Sequence, residues 1–246
     1  ELACGQIGLG RLASVSCIIE VVKKKLGAKD DLKGLSVLVT AGPTREKIDP
    51  VRFISNPSSG KMGYALASRA LSRGAKVTLV TGATNIEAPL GARTINVEDT
   101  DQMSKAVAAN YAASDVVIMA AAPTDYKPKN ASKTKMKKSG KNIKIELKES
   151  EDILRALGRK KSGKILVGFA AETEDLLKNA KKKLKEKNLD LIVANDITLS
   201  GAGFGSDTNI VKIINPSGKV LSLPKLSKSD VADRILDEIA SLQKSL

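Results

Sequence analysis

Short apolar segments alternate with segments of helical periodicity along most of the sequence, and this alternation restricts the possible folds more than any other feature. Strands are predicted at 36–41, 76–80, 93–97, 115–119, 143–147, 165–168 and 189–193. Helices are predicted at 59–73, 101–111, 150–157 and 173–187, with Thr100 and Ser150 capping the second and third of them. Strands that alternate with helices form a mostly parallel sheet with helices on both of its faces.

The two ends of the sequence depart from this alternation. Near the C-terminus, 209–215 and 219–223 flank a Pro-Ser-Gly turn and predict a β-hairpin, and 229–242 has the periodicity of an amphipathic helix. The first 34 residues combine a glycine-rich start with a polar linker. We therefore predict a Rossmann-like α/β domain over 35–246, with a C-terminal β-hairpin and helix, preceded by a separate piece over 1–34.

The sequence contains no histidine, and this excludes whole classes of catalytic chemistry. Ser-His-Asp triads, Cys-His pairs and histidine general bases are impossible. Two cysteines are too few for a disulfide framework or a structural zinc site. Any reaction must use lysine, carboxylates, asparagine, backbone amides or a metal ion. Such groups suit nucleotidyl or phosphoryl transfer, in which the protein mainly positions charge.

The chain is strongly basic, with 41 Lys and Arg residues against 27 Asp and Glu and a net charge of +14. A basic surface attracts polyanions such as nucleic acid, acidic membranes or phosphorylated small molecules. A lysine-rich, solvated surface of the kind found in thermophiles explains the excess equally well. No apolar run reaches the roughly 18 residues of a membrane span. We expect a cytoplasmic protein without membrane or nucleic-acid partners, and a nucleic-acid-binding protein is the alternative.

Unusual loops follow several predicted strands at one edge of the sheet. In an open parallel sheet, ligands bind beyond the carboxyl ends of the strands. The loops at these ends are rich in glycine, lysine or small residues and occupy 42–57, 120–135, 169–173 and 194–208. We therefore predict that they converge on one ligand site.

The first βα connection carries a degenerate phosphate-binding motif. Ser58, Gly60 and Gly63 match a GxGxxG pattern in which serine replaces the first glycine. Small residues there let the backbone approach a phosphate at a helix N-terminus, although ordinary helix capping by serine is the alternative. The motif is not a P-loop, because Met62 stands where Ser or Thr is required. A nicotinamide site is disfavoured, because the second strand ends at Thr81 without an acidic residue.

Three further motifs place polar and cationic residues at the same edge. Asp125 follows a run of small residues and suits a ribose, a base edge or a metal ion, unless it caps its own turn. Nine lysines from Lys127 to Lys148 form either a mobile loop that closes over phosphates or a solvated basic loop. Lys183 and Lys187 share one helix face and suit either phosphate binding or the C-terminal end of the helix dipole.

Together, in their order, these motifs resemble the phosphopantothenate–cysteine ligase family over roughly residues 35–246. The resemblance rests on residues 40–44, 56–63, 121–126, 135–138, 168–173, 195–196 and 203–209. Ala3, Cys4 and Gly5 resemble the active-site flap of a second enzyme, phosphopantothenoylcysteine decarboxylase. The resemblance therefore implies a natural fusion of the two enzymes, of which 1–34 is a remnant, with neither FMN nor decarboxylation in this chain.

The family's reaction is what the resemblance implies for this chain. The carboxylate of 4′-phosphopantothenate attacks the α-phosphate of CTP, and pyrophosphate leaves. The amine of L-cysteine then attacks the acyl-cytidylate and releases CMP. The family's bacterial and archaeal members use CTP and its eukaryotic members ATP, and the fused architecture favours CTP. The resemblance also implies Mg²⁺, held mainly by the triphosphate, and a homodimer.

The resemblance assigns expected roles to individual residues. Asn56 orients the acyl intermediate for the cysteine step, and Lys135 stabilises charge while the acyl-cytidylate forms. The residues expected to contact the nucleotide are Ala121, Ala122, Asp125, Lys135, Phe169, Lys183 and Lys187. The residues expected to bind the substrate phosphate are Ser58, Ser59, Gly60 and Gly63.

Overall fold

A computed structural model of the chain describes residues 18, 22, 29–138, 140, 142–196, 198–199, 203 and 205–244. The strands are β1 Ser36–Ala41, β2 Arg45–Lys47, β3 Phe53–Ser55, β4 Lys76–Thr81, β5 Arg93–Asn96, β6 Val116–Met119, β7 Tyr126–Pro128, β8 Leu147–Glu149, β9 Ile165–Glu172, β10 Leu191–Asp196, β11 Thr208–Asn209, β12 Val211–Ile214, β13 Val220–Ser222 and β14 Leu226–Ser227. The helices are α1 Lys61–Ser72, α2 Thr100–Tyr111, α3 Ile153–Arg159, α4 Leu176–Glu186 and α5 Lys228–Gln243. Ala3, Cys4 and Gly5 of the predicted remnant lie outside the described residues.

One eight-stranded sheet organises the domain, in the order β13-β12-β10-β9-β6-β1-β4-β5. The six strands from β10 to β5 are parallel to one another, and β10 is antiparallel to β12 on its other side. Strands β12 and β13 form an antiparallel hairpin at one edge. The predicted fold class is confirmed: a mostly parallel sheet, helices on both faces, and a C-terminal hairpin and helix.

The side chains of each central strand alternate between two apolar cores, one on each face of the sheet. Val37 and Val39 of β1 belong to the core beneath α1 and α5. Leu38, between them, belongs to the core beneath α2, α3 and α4. Fully burying one such side chain stabilises the fold by about 1.5–3 kcal/mol. Because both faces are covered, the strands read as continuous apolar runs, which is why the sequence predicts them well.

A buried arginine joins the segment before β1 to the helical layer. The side chain of Arg73 is 2% exposed, and its Nη2 lies 2.5 Å from Asp31 and 3.0 Å from Asp237 of α5. The hydrogen bond from Arg73 lowers the pKa of Asp31, although burial acts in the opposite direction. Leu32 is fully buried. Residues 31–32 therefore pack with the domain that was predicted to begin at residue 35.

Some predicted elements are corrected by the structure. The strand predicted at 143–147 is wrong: only Leu147 joins a strand, and Ile143 and Ile145 are exposed. Their alternation with polar residues imitates a strand, but no neighbouring strand covers them. Helices α2 and α3 are capped by Asp99 and Asp152 rather than by Thr100 and Ser150. In each case two good capping residues stand close together, and the sequence does not rank them.

The loop predicted over 42–57 contains structure of its own. Strands β2 and β3 pair antiparallel within it, and the guanidinium of Arg45 lies 4.8 Å from the centre of the Phe53 ring. A second small pair, β7 with β8, encloses the lysine-rich segment. These short hairpins project from the carboxyl edge of the main sheet and shape the region around it.

Candidate functional site

A cavity of about 440 Å³ opens at the carboxyl ends of the parallel strands β1, β6, β9 and β10. The loops that follow these strands form its walls, as the position of the predicted loops indicated. Ten of the twelve predicted site residues line it, namely Asn56, Ser58, Ser59, Gly60, Ala121, Ala122, Asp125, Phe169, Lys183 and Lys187. The structure does not place Gly63 or Lys135 among the lining residues.

The N-terminus of α1 forms part of the cavity wall. Gly60 is its N-cap with a φ of 81°, and no side chain caps the first turn. A Cβ at Gly60 would lie 2.6 Å from Thr84 Cγ2, so that only glycine fits there. Serine does not cap the amides of the first turn, although Ser58 Oγ accepts a long hydrogen bond from Gly60 N at 3.4 Å. The uncapped amides and the positive end of the helix dipole are available to an anion.

Gly63 lies behind this wall, within the packing of α1 against β1. A Cβ at this position would lie 2.5 Å from Ala41 Cβ and 2.8 Å from the carbonyl oxygen of Thr40. The glycine therefore permits a close approach of helix and strand. A phosphate contact at Gly63 stays a prediction.

Asn56 is oriented by the loop that follows β6. Its Nδ2 donates to the carbonyl oxygens of Ala122 and Pro123, at 3.2 and 3.0 Å. Within the described residues, its Oδ1 makes no hydrogen bond. The side chain therefore lies at the cavity wall in a defined orientation, with an acceptor oxygen left for a ligand.

A buried chain of hydrogen bonds, which the sequence analysis missed, holds the same loop from behind. Thr100 Oγ1 donates to Glu46 Oε1 at 2.7 Å, and Thr124 N donates to Thr44 Oγ1 at 3.1 Å. Thr44 and Thr100 share the hydrogen bond between them, at 3.0 Å. Because the Thr100 proton goes to Glu46, Thr44 must donate to Thr100. Glu46 therefore determines which group donates in each of these hydrogen bonds, and the hydrogen bonds fix the backbone next to Asp125.

At one end of the cavity, called here the α4 end, each lysine has its own carboxylate. Lys183 Nζ lies 2.7 Å from Glu172 Oε1, and Lys187 Nζ lies 2.9 Å from Asp152 Oδ2. Burial favours a raised pKa at Asp152, but hydrogen bonds from Arg155 N and Lys187 outweigh it and lower the pKa. Both lysines were predicted, whereas their partners were not.

At the other end, called here the α1/α5 end, two lysines lie near one exposed carboxylate, and only Lys61 pairs with it. Lys61 Nζ lies 2.5 Å from Asp207 Oδ1, and the Asp207 side chain is 87% exposed. Lys228 is half-buried, and its pKa is lowered by burial and by the charge of Lys61. Among the described residues, no carboxylate lies within ion-pairing distance of Lys228. This end therefore carries uncompensated positive charge.

Lys61 and Lys228 are the first residues of α1 and α5, and both line the cavity. A cation at the N-terminus of a helix is opposed by the helix dipole. Neither lysine was among the predicted site residues. Lys61 lies inside the predicted phosphate motif, so a signal was present for it. Nothing in the local sequence distinguishes Lys228 from the other lysines of the chain.

Lys135 is exposed and lies in the loop between β7 and β8. Its neighbours are attached to the β2–β3 hairpin rather than to the cavity wall: Met136 N donates to Asp49, and Ser132 N donates to the carbonyl oxygen of Ile48. The loop predicted to be mobile is thus anchored on both sides of Lys135.

Metal-ligating side chains are sparse around the cavity. In the part of the chain that the structure describes, no group of three or more His, Cys, Asp or Glu residues is close enough together to hold a metal ion. Asp125, Glu151 and Asp152 line the cavity individually. This donor set is compatible with a Mg²⁺ ion that takes most of its ligands from phosphate oxygens and water. Over the same described residues, none of the helices has the length and apolar character needed to cross a membrane.

Fold and site together define a doubly wound α/β domain with a cationic ligand cavity at the carboxyl edge of its sheet. The chain belongs to the family of the DNA/pantothenate metabolism flavoprotein C-terminal domain, whose family model matches residues 32–242. The family resemblance inferred from the ordered motifs is thereby confirmed.

Curated relatives match almost the whole chain. The coenzyme A biosynthesis bifunctional protein CoaBC of Bacillus subtilis (strain 168) is 50% identical over 246 residues, which are 99% of this chain and 61% of that protein. A cysteine/cysteine sulfinic acid decarboxylase from an unknown prokaryotic organism is 43% identical over 249 residues, 98% of this chain and 69% of that protein. The chain thus spans about three fifths of the CoaBC relative. The bifunctional name supports the predicted natural fusion to another domain.

Solved structures share the fold. The crystal structure of the C-terminal domain of a CoaBC protein has a TM-score of 0.77 and 44% identity, and the match covers 88% of this chain and all of that one. The Cab2 mutant H337A in complex with phosphopantothenate-cysteine has a TM-score of 0.71 at 15% identity, with 96% of each chain covered. The second likeness concerns the fold alone.

Proposed function

We propose that this domain is a CTP-dependent phosphopantothenate–cysteine ligase of coenzyme A biosynthesis. The observation that carries the proposal is that residues from four separate loops and α4 come together in one cavity. The roles predicted for these residues require that they lie close together in space, although the residues are far apart in the sequence. Relatives named as coenzyme A biosynthesis proteins support the pathway.

The nucleotide lies across the carboxyl edge of the sheet in this proposal. Its cytidine is held at the α4 end, where Asp125, Phe169, Lys183 and Lys187 line the cavity and Ala121 and Ala122 leave room for it. Its triphosphate extends to the α1/α5 end, where the amides after Gly60, the side chain of Lys61 and the unpaired charge of Lys228 are located. Mg²⁺ accompanies the triphosphate and reduces its charge.

The first step forms the acyl-cytidylate. A carboxylate oxygen of 4′-phosphopantothenate attacks the α-phosphorus of CTP, the bond to the bridging oxygen breaks, and pyrophosphate leaves. Lys135 neutralises the charge that develops on the phosphate oxygens. Since Lys135 is exposed and outside the cavity in this structure, its side chain must turn toward the nucleotide when CTP binds.

The second step forms the amide. The amine of cysteine attacks the acyl carbon, loses a proton, and CMP leaves with the bonding electrons. Asn56 orients the acyl group and the amine, because its amide is held by Ala122 and Pro123 while its Oδ1 is left as an acceptor. No histidine is needed, since both nucleophiles belong to substrates.

Pyrophosphate release is the direct test. The domain is mixed with CTP, 4′-phosphopantothenate and Mg²⁺, and pyrophosphate is measured before and after cysteine is added. We expect release of about one equivalent per site before cysteine and continuous release after it. A folded preparation that binds CTP but releases no pyrophosphate would be a nucleotide sensor, and the ligase proposal would be abandoned.

Two variants separate the steps, with Lys144→Ala as the matched control because Lys144 is exposed in the same lysine-rich loop. Lys135→Ala suppresses the first release. Asn56→Ala retains the first release but stalls product formation, so that the acyl-cytidylate accumulates and is detected by mass spectrometry. Normal product formation by Asn56→Ala would remove this residue from the mechanism.

The remaining parts of the proposal have their own measurements. Replacing CTP by ATP in the same assay tests the nucleotide preference, and chelation tests the need for Mg²⁺. Light scattering after size exclusion tests the homodimer. An absorption spectrum of the purified chain tests the expected absence of FMN. Incubation with cysteine and with phosphopantothenoylcysteine, followed by carbon dioxide detection, tests the expected absence of decarboxylation.

A further inference from the structure

Asp49 forms a buried junction between the β2–β3 hairpin and the lysine-rich loop. Its side chain is fully buried. Oδ1 accepts hydrogen bonds from Val51 N and Arg52 N, both at 2.8 Å, and closes the hairpin turn. Oδ2 accepts a hydrogen bond from Met136 N at 3.2 Å, across 87 positions of sequence. The two oxygens therefore have different tasks, one inside the hairpin and one between segments.

Two further contacts attach the same loop to the same hairpin. Arg52 Nη2 donates to the carbonyl oxygen of Met136 at 2.5 Å, so that both backbone groups of Met136 are held. Ser132 N donates to the carbonyl oxygen of Ile48 at 2.8 Å. Lys135 lies between these two anchored residues. Its backbone position is therefore set by the hairpin, while its side chain remains free to turn.

Asp49 is suited to this task because it stays ionised. Burial acts to raise its pKa, but hydrogen bonds from the backbone of Val51, Arg52 and Met136 outweigh burial and lower the pKa. Arg52 Nε lies 3.4 Å from Oδ2 and contributes in the same direction. A charged acceptor makes stronger hydrogen bonds to amides than a neutral one.

The hairpin also leads into the cavity wall. Asn56 directly follows β3, and Ser55 Oγ donates to the carbonyl oxygen of Thr44 at 2.8 Å. One short element thus connects the anchored backbone around Lys135 with Asn56. Two residues with roles in successive steps share one rigid support.

We propose that Asp49 is a positioning residue for Lys135: its Oδ2 holds the Met136 amide so that the Lys135 side chain reaches the nucleotide from a fixed backbone position. This inference rests on the proposed function, because it takes the role of Lys135 in the first step as given. A fixed backbone reduces the conformational freedom lost when a lysine side chain is ordered.

The substitution Asp49→Asn tests the contact between the segments while it keeps the hairpin turn. The amide oxygen of asparagine replaces Oδ1 and still accepts from Val51 N and Arg52 N, which keeps the turn. The amide nitrogen replaces Oδ2 and presents a donor to the Met136 N–H and to Arg52 Nε, so that the hydrogen bond from Met136 and the ion pair with Arg52 are lost. We expect the rate of the first pyrophosphate release to fall by about 10- to 100-fold, as small misplacements of catalytic groups do. Asp49→Ala is the second variant, with a larger loss because the turn is disturbed as well.

The decisive measurement is the double variant. If Asp49 acts through Lys135, Asp49→Asn added to Lys135→Ala lowers the first-release rate no further than Lys135→Ala alone. If the two losses multiply instead, Asp49 acts on general stability and the inference is wrong. Unchanged first release in Asp49→Asn also overturns it. The rate at which preformed acyl-cytidylate reacts with cysteine is expected to stay within twofold of the unaltered domain.

Asp115→Asn is the matched control. Asp115 Oδ2 likewise accepts a backbone N–H from a distant segment, Ser36 N at 2.8 Å, but it lies at the opposite edge of the sheet, before β6. This variant is expected to lower the thermal midpoint without changing the ratio of first-step to second-step rates.

Hydrogen exchange of the Met136 amide gives a readout that does not need activity. Asp49→Asn is expected to accelerate this exchange at least tenfold, while exchange in β1 stays unchanged. If the unaltered domain releases no pyrophosphate, the proposed function fails, whatever the exchange shows. If the unaltered domain does release pyrophosphate, and Asp49→Asn accelerates the exchange without slowing the first step, then the positioning role of Asp49 is excluded and the proposed function is not.

Discussion

The two ends of the cavity differ in how their lysines are compensated. At the α4 end, Lys183 and Lys187 each meet a carboxylate and lie in the last turn or at the C-cap of a helix, where the dipole favours cations. At the α1/α5 end, Lys61 and Lys228 begin their helices, and Asp207 pairs with Lys61 but not with Lys228. The first end is therefore electrostatically satisfied without a ligand, and the second is not.

This difference separates two ways of using lysine in a binding site. A paired lysine holds a defined position and presents a nearly neutral surface, which suits the contacts that orient a base and ribose. The charge of an unpaired lysine at a helix N-terminus is repelled by the positive end of the helix dipole, and a bound anion offsets this repulsion. We therefore propose that the α4 end orients the nucleoside and that the α1/α5 end attracts the phosphates.

The largest expected effect is at Lys228. Lys228→Met is expected to weaken CTP binding by about 10- to 100-fold, because it removes one hydrogen bond to a charged group, which contributes about 1.5–3 kcal/mol. CMP binding should stay within twofold, because the terminal phosphates are absent from CMP. Isothermal titration calorimetry with both nucleotides measures the two affinities.

The control for Lys228 is Lys225→Met, which removes the same charge from an exposed position three residues away. An equal loss of CTP and CMP affinity in Lys228→Met would break the comparison, since it would place the nucleoside at this end. A loss of affinity for phosphopantothenate but not for CTP would assign the end to the other substrate.

The next effect is at Lys187. Lys187→Met is expected to weaken CTP and CMP binding alike, by about three- to tenfold, because part of its interaction with the nucleotide is already offset by breaking the pair with Asp152. Unequal losses for the two nucleotides would show that this lysine reaches the terminal phosphates and would remove the proposed division between the ends.

The same variant has a consequence for pH dependence. The pKa of Asp152 is lowered in the folded state partly by Lys187, so its contribution to stability is present above the ordinary carboxyl pKa of 3.8 and is lost as pH falls through the lowered pKa. In Lys187→Met the pKa of Asp152 is expected to rise. Carboxyl-carbon NMR titration follows this pKa directly, and an unchanged value would mean that the hydrogen bond from Arg155 N alone sustains it.

A smaller effect concerns stability. Lys228→Met is expected to raise the free energy of unfolding at pH 7 by about 0.3–1 kcal/mol, the usual size of an unfavourable charge near a helix terminus. The pKa of Lys228 is lowered in the folded state, so the penalty is present below that pKa and disappears as pH rises toward 10.5. Urea unfolding at pH 7 and at pH 10 measures the gain. A gain that persists at pH 10 would come from packing rather than charge.

The smallest effect is at Asp207. Asp207→Asn removes an exposed pair with Lys61, so stability should change little, because solvent screens such pairs. Affinity for inorganic pyrophosphate with Mg²⁺ is expected to rise two- to threefold, because the carboxylate no longer competes for Lys61. Weaker pyrophosphate binding would show instead that Asp207 helps to order the site. Titration calorimetry compares it with Asp230→Asn, an exposed control near the start of α5.

The sequence predicted the main sheet well and the small hairpins poorly. The predicted bounds of 36–41 coincide with those of β1, because a strand covered on both faces is a continuous apolar run. The prediction at 143–147 failed, because alternation alone does not show whether another strand lies beside it. Strands of two or three residues such as β2 and β11 are too short to produce a recognisable periodicity in the sequence.

The candidate site was predicted in the same uneven way. Small residues and lysines after strand ends indicated the lining of the cavity, since parallel strands bring their carboxyl ends to one edge. The carboxylate partners of these lysines were not predicted. The distances from Lys187 to Asp152 and from Lys183 to Glu172 depend on how α4 packs beside β9, and Lys228 enters the cavity only because α5 packs against α1.

By itself, the sequence determined the fold class, the edge at which the cavity opens and the restriction to chemistry without histidine, because these follow from local periodicity and residue type. Only the tertiary structure decided which lysines are paired, which end of the cavity retains charge and how Lys135 is attached to the hairpin. Electrostatic pairing depends on distances of a few ångström between segments far apart in the chain, and those distances exist only after packing.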